Sequence, residues 1–151
     1  MPPQSRTSEP PSSSTAGFAR WPWWRRWFGR RSERAAARFL RKLGYRILAA
    51  NVADPAGELD LIALDGQTLV IVEVRSTESA DLERAAASVD LRKQSQVSKA
   101  ALRYLTRRRL LEGVNVRFDV IVVGWPANAR EPIVRHFPNA FEATGFDGMF
   151  S

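Results

Sequence analysis

From Gly57 to Arg75 the apolar positions run with period-two character in two arms, Leu59-Asp60-Leu61-Ile62-Ala63-Leu64 and Leu69-Val70-Ile71-Val72-Glu73-Val74, separated by Asp65-Gly66-Gln67-Thr68. Asp-Gly between such arms predicts a β-hairpin with a two-residue turn. Upstream, Ala36, Phe39, Leu40 and Leu43 recur at helical spacing, which predicts a helix from Ser32 to Leu43. Ser32 is its expected N-cap, Glu33 suits the dipole of the first turn, and Gly44 suits the position past the end. Residues 45–50 read as a short strand and 51–57 as a loop. A second helix is expected from Leu91 to Arg109, with Val97, Ala101 and Leu105 facing inward and room for a short helix before it. Residues 114–123 turn from alternating to apolar, as a buried strand does. Gly124-Trp125-Pro126 stops it, and 133–137 suits an edge strand before an irregular end carrying Phe141 and Phe146. Helix, strand, strand, strand, helix, strand, strand is an α/β order with a mixed sheet.

The hairpin carries its acids in an awkward place. With Asp65-Gly66 as the turn, Leu64 pairs with Gln67, Glu58 faces Glu73, and Asp60 lies diagonal to Glu73. Residues two apart share a face, so Glu58, Asp60, Glu73 and Arg75 all project to one side. Opposed like charges destabilise a sheet, and a divalent cation between them reverses the sign of the interaction. Phosphodiester hydrolysis needs such an ion, held by a few carboxylates beside a positive group. Asp60 and Glu73 as ligands, Glu33 as a third acid from the helix, and Arg75 as the cation meet that need. Glu58 is either a further ligand or a flank of the turn. The competing reading is solvated hairpin acids, with Glu33 serving only the helix dipole.

Composition narrows the choice of ion. The chain has 151 residues, no cysteine and one histidine, His136. Disulfides and thiolate sites are excluded, a nitrogen-rich zinc site is disfavoured, and a hard ion such as Mg²⁺ or Mn²⁺ remains. A reducing, cytoplasmic compartment fits the lack of cysteine. His136 reads as a surface or edge-strand residue, and Asp119 has no evident chemical role.

The net charge of +7 points to a polyanionic partner, but residues 1–31 alone hold six Arg and one Glu. Three segments follow: a Pro/Ser-rich then Trp/Arg-rich leader over 1–31 expected to be disordered, one domain over 32–146, and a tail over 147–151. Interleaved Trp and Arg in 20–31 suit a membrane interface, nucleic-acid bases or the protein's own surface. No stretch has the ~18 apolar residues needed to span a bilayer.

Gly57-Glu58-Leu59-Asp60-Leu61-Ile62-Ala63 followed by Val72-Glu73-Val74-Arg75 resembles the D…ExK core of the PD-(D/E)xK nuclease superfamily. More narrowly, the chain resembles the YraN-like family, related to Holliday-junction resolvases. Further matches are Ser32-Glu33, Gly44-Tyr45, Asn51, Lys93, Ala100-Ala101 with Tyr104-Leu105, Arg117-Phe118-Asp119-Val120 and Asn139-Ala140-Phe141. The resemblance implies a restriction-endonuclease-like three-layer fold, with a mixed central sheet flanked by helices. It also implies a Mg²⁺-dependent nuclease site with Asp60 and Glu73 at the metal, Glu33 as the helix acid, and position 75 as the cation. The family pattern has Lys at position 75; Arg75 keeps the charge but cannot give up its proton.

The expected function is therefore metal-dependent cleavage of DNA, including branched or structured DNA. Lys93, Arg103, Arg107 and Arg108 are candidate backbone contacts. One alternative is a catalytically impaired nucleic-acid-binding module of the same fold. Another is an interaction protein recruited to membranes by residues 20–31. Resolvase-like relatives would argue for a homodimer, but no self-complementary patch can be read in the sequence.

Overall fold

The computed structural model describes residues 23–110 and 112–144, with side chains in the first helix from Arg30 onward. The segments 1–22 and 145–151, and with them the terminal tail, Phe146 and most of the leader, lie outside the described residues. Two helices and a helical turn pack on a five-stranded sheet: α1 Trp23–Lys42, β1 Arg46–Asp54, β2 Gly57–Asp65, β3 Thr68–Thr77, α2 Leu82–Ala87, α3 Leu91–Arg107, β4 Asn115–Gly124 and β5 Ile133–Phe141. Strand order follows chain order. All neighbours are antiparallel except β3 and β4, whose parallel pairing is made by the α2–α3 crossover.

The sheet is buried on both faces, so its central strands carry unbroken apolar runs. On one side Leu61, Val70, Val72, Ile121 and Val123 meet Ala36, Ala37 and Leu40 of α1. On the other, Ile62, Leu69, Ile71, Phe118 and Val122 meet Val97, Ala100, Ala101 and Leu105 of α3. This is the three-layer, restriction-endonuclease-like arrangement.

Several elements differ from the sequence expectation, each for a physical reason. Helix α1 starts at Trp23, so the expected domain division at 31/32 falls inside it. Ser32 is a fully buried helix-interior residue rather than a cap: its hydroxyl bonds the Ser76 hydroxyl and accepts from Trp125 Nε1 at 2.9 Å. Strand β1 continues through Asn51, whose φ of +52° an Asn side chain tolerates, to a turn at Pro55-Ala56. There Asp54 Oδ1 accepts from Ala56 N at 2.8 Å, an Asx turn in place of the expected loop. Strand β5 runs on to Phe141, which stacks on Phe118 with ring centroids 5.1 Å apart and closes the core.

The hairpin register also moves. Asp65 pairs with Thr68 and Leu61 with Val72, so the turn is Gly66-Gln67. Of the candidate turn residues only Gly66 has positive φ, +59°, whereas an Asp-Gly type I′ turn needs it at both positions. Asp65 stays in the strand, bound to Arg117 at 2.9 Å. Glu58 therefore does not face Glu73, and the register extrapolated past Leu61 sets Asp60 opposite Glu73 instead. The shift is by two in paired position, so no side chain changes face within the paired stretch Leu61–Asp65.

Candidate metal centre

The ladder between β2 and β3 ends at Leu61 and Val72. One residue further, Asp60 Oδ2 accepts a hydrogen bond from Val74 N at 2.8 Å. A side chain thus satisfies an amide that a strand carbonyl would otherwise hold. Leu59 and Leu61, two residues apart, pack into opposite cores, so the alternation of β2 breaks at Asp60. The break directs this carboxylate into the gap where the strands part.

Glu33 reaches the same place from α1. The bonds from Ser76 and Trp125 to the neighbouring Ser32 fix the roll of the helix about its axis. Ligand oxygens of Glu33, Glu58 and Asp60 lie within 4.8 Å of one another. Glu58, ambiguous in sequence, thus joins the cluster. Glu73 is not one of that close triplet, although its charge acts on both Asp60 and Glu33. It is buried, at 3% exposure. Glu73 Oε1 lies 3.4 Å from Lys93 Nζ and 3.9 Å from Arg75 Nε. Glu73 Oε2, Glu33 Oε2 and Arg75 Nε are buried without a hydrogen-bond partner.

Crowding of acids leaves an electrostatic signature. Burial first, and then the charge of Glu73, hold the Asp60 carboxyl well above the usual range; the Val74 amide and Lys93 offset part of this. Glu33 is pushed up to about 7, mainly by burial and further by Glu58 and Glu73, while a hydrogen bond from Asn51 and the charge of Arg30 oppose the rise. Asn51 carried no sequence signal for this role beyond its position before the hairpin.

The weaker candidates for nucleic-acid contact divide. Lys93 sits at the cluster. Arg103 and Arg107 bind Asp54 at 2.7 and 3.1 Å, which ties the β1–β2 turn to α3. The Arg108 guanidinium stands 5.3 Å from the centroid of the Tyr104 ring.

A second polar constellation was not legible. Asp119, fully buried, accepts from Arg117 Nε at 2.9 Å, Arg117 NH2 at 3.0 Å and Asn139 N at 2.9 Å, and pairs with His136 Nε2 at 2.7 Å. Burial alone would raise its pKa, but the His136, Arg117 and Asn139 bonds outweigh burial and lower it. Arg117 also reaches Asp65 and the Tyr45 hydroxyl, at 2.9 and 2.7 Å. His136 does lie on an edge strand, but it is not a surface residue: its side chain is 9% exposed, with Phe39 and Tyr45 edge-on to its ring. Every member has a partner, so this constellation is a strut joining β2, β4 and β5.

Fold and carboxylate arrangement together place the chain among restriction-endonuclease-like proteins. Comparison with known sequences makes the assignment narrower. The model of Uncharacterised protein family UPF0102 matches residues 32–123. A UPF0102 protein of Rhodopirellula baltica is 43% identical over 125 residues, covering 81% of this chain and 74% of its own. That of Geobacter sulfurreducens is 44% identical over 114 residues, covering 76% and 88%. That of Pelotomaculum thermopropionicum is 42% identical over 117 residues, covering 78% and 97%. The chain belongs to the UPF0102, or YraN-like, family. Among the described residues no helix is long and apolar enough to cross a membrane.

Proposed function

We propose that this protein is a nuclease that hydrolyses DNA phosphodiesters, branched or structured DNA included, with Mg²⁺ or Mn²⁺ bound at the carboxylate cluster. The observation that carries the reading is the pair of orphaned carboxylate oxygens, Glu33 Oε2 and Glu73 Oε2, beside an Asp60 whose neighbours oppose its ionisation. Buried polar atoms without partners are rare in folded proteins, and a hard cation satisfies oxygen donors of this kind. The donor set fits: Asp60 with Glu33 and Glu58 would hold the ion, with Glu73 alongside. When bound, a divalent ion supplies charge neutralisation at phosphate and a more acidic water.

The protein's own groups do the rest. Lys93 and Arg75 bring positive charge to the rim of the cluster, where a phosphodiester gains negative charge during attack. Arg75 can clamp phosphate but cannot exchange its proton, so any proton transfer falls to the carboxylates or to Lys93.

Arg75 also supports a second reading, a nucleic-acid-binding module with impaired chemistry. Cleavage assays on junction, flap and linear DNA in Mg²⁺, Mn²⁺ or EDTA separate the two. The nuclease reading requires metal-dependent products from the wild type and their loss in Asp60→Asn. DNA binding with no cleavage of any substrate supports the module instead.

A further inference from the structure

We infer that the outer face of α1 is the track along which a nucleic-acid backbone reaches the carboxylate cluster. This rests on the nucleic-acid half of the reading above and names a surface for it. Arg30, Arg34, Arg38 and Arg41 are spaced by four, four and three residues, and all are exposed, as is Lys42; the guanidinium of Arg31 lies over the Trp125 ring, 4.1 Å from its centroid, and is left out of the set. At 100° per residue these five side chains fall within about a third of the helix circumference, over a length of roughly 18 Å. They form one unbroken basic ridge.

Arg41 and Lys42 suit the last turn of the helix, but the rest of the ridge does not serve it. Along α1 there are eight Arg or Lys and one Glu, with no acid in the first turn. Like charges four residues apart, as in Arg30/Arg34, Arg34/Arg38 and Arg38/Lys42, destabilise a helix. A polyanion laid on the ridge turns each of these costs into attraction, through release of its counterions.

Two observations set this surface apart from the arginines at the C-terminal end of α3 and from Arg135, although Arg84, Arg92 and Lys99 of the opposite layer are also exposed and, among the described residues, without an ion pair. Arg103 and Arg107 are committed to Asp54, Arg135 to Glu83, and Arg108 stands over Tyr104. Among the described residues, Arg34, Arg38, Arg41 and Lys42 have no ion pair. Second, the ridge runs beside the cluster: Arg30 and Arg34 flank Glu33 on α1, three residues before it and one after, and Glu33 is one of the three close acids. Backbone contacts of this sort position a duplex without reading its sequence.

The test compares the full chain with a triple variant, Arg34→Gln, Arg38→Gln and Arg41→Gln, which spares Arg30, Arg31 and all acids. A control triple, Arg84→Gln, Arg92→Gln and Lys99→Gln, removes equal charge from the other layer. Binding of a fluorescent DNA duplex is measured by anisotropy at several salt concentrations. Each lost phosphate contact lowers the slope of log K against log salt by about 0.9, so the ridge variant should lose about 2–3 units and the control little. Its melting temperature should equal or exceed that of the wild type, which excludes unfolding as the cause. Equal slopes for the two triples overturn the inference. So does loss of binding to phosphatidylserine vesicles with unchanged DNA affinity, which would make the ridge a membrane surface. Cleavage by the wild type with an unchanged slope sinks this surface and spares the nuclease reading. A fallen slope without cleavage in any metal does the reverse.

Discussion

The Asp60 carboxylate and the Val74 amide are joined by a 2.8 Å hydrogen bond at the point where β2 and β3 stop pairing. One oxygen of Asp60 is therefore structural, and the other is left to the cluster. Asp60→Asn keeps an acceptor for Val74 and removes a charge from among Glu33, Glu58 and Glu73. Its melting temperature should match or exceed that of the wild type, while Mn²⁺ affinity, read by calorimetry, falls at least about tenfold. Asp60→Ala leaves the amide unsatisfied and should cost about 1–3 kcal/mol in denaturant unfolding. A large stability loss in Asp60→Asn would show that the acid serves the fold alone.

The raised carboxyls make stability depend on pH in a defined direction. Glu33 titrates at about 7 in the folded protein against an ordinary 4.5, and Asp60 is raised as well. A raised acid stabilises the fold fully below its unfolded pKa, and that contribution is lost as pH rises through the folded value. Without metal, the melting temperature should fall from about pH 4.5 through about pH 7. With Mn²⁺ the trend should reverse, because ligands must be deprotonated and affinity climbs over the same interval. Thermal melts with EDTA and with Mn²⁺ check both signs.

Arg75 and Lys93 flank the same oxygen of Glu73 and differ in what they can do with a proton. Arg75→Lys should raise metal-dependent cleavage about tenfold or more, whereas Lys93→Ala should lower it by a similar factor. No response to Arg75→Lys would mean that position 75 contributes charge alone.

Asp119 makes the opposite prediction from Asp60. It is fully buried and fully partnered, so Asp119→Ala strands Arg117 and His136 and should cost about 3–5 kcal/mol. Denaturant midpoints measure this loss. Mn²⁺ affinity of the protein that remains folded should be unchanged.

Periodicity made the layers legible, because strands with apolar runs and helices with one apolar stripe have few ways to pack. Asp60, Glu73 and Glu33 were also visible, since acids inside such strands and at a helix turn need a reason. The turn position was not, because Asp-Gly and Gly-Gln differ only in where positive φ falls. Parity kept the faces of the paired stretch although the pairing moved by two, and the bond from Val74 holds Asp60 beside β3 where alternation breaks. Ser32 misled because a serine before a glutamate has the composition of a cap. Only the tertiary partners Ser76 and Trp125 reveal that the helix passes through it. The Asp119 strut joins residues up to 94 positions apart in the chain, Tyr45 to Asn139, and distance of that order leaves no local trace.

The indole of Trp125, just past the end of β4, therefore governs an acid it never touches. Its bond to Ser32 sets the angular phase of α1, and Glu33 inherits that phase. Replacement of Trp125 by Phe would leave every charged group of the cluster in the sequence while detuning their convergence, so selectivity between Mg²⁺ and the larger Mn²⁺ would drift before stability did.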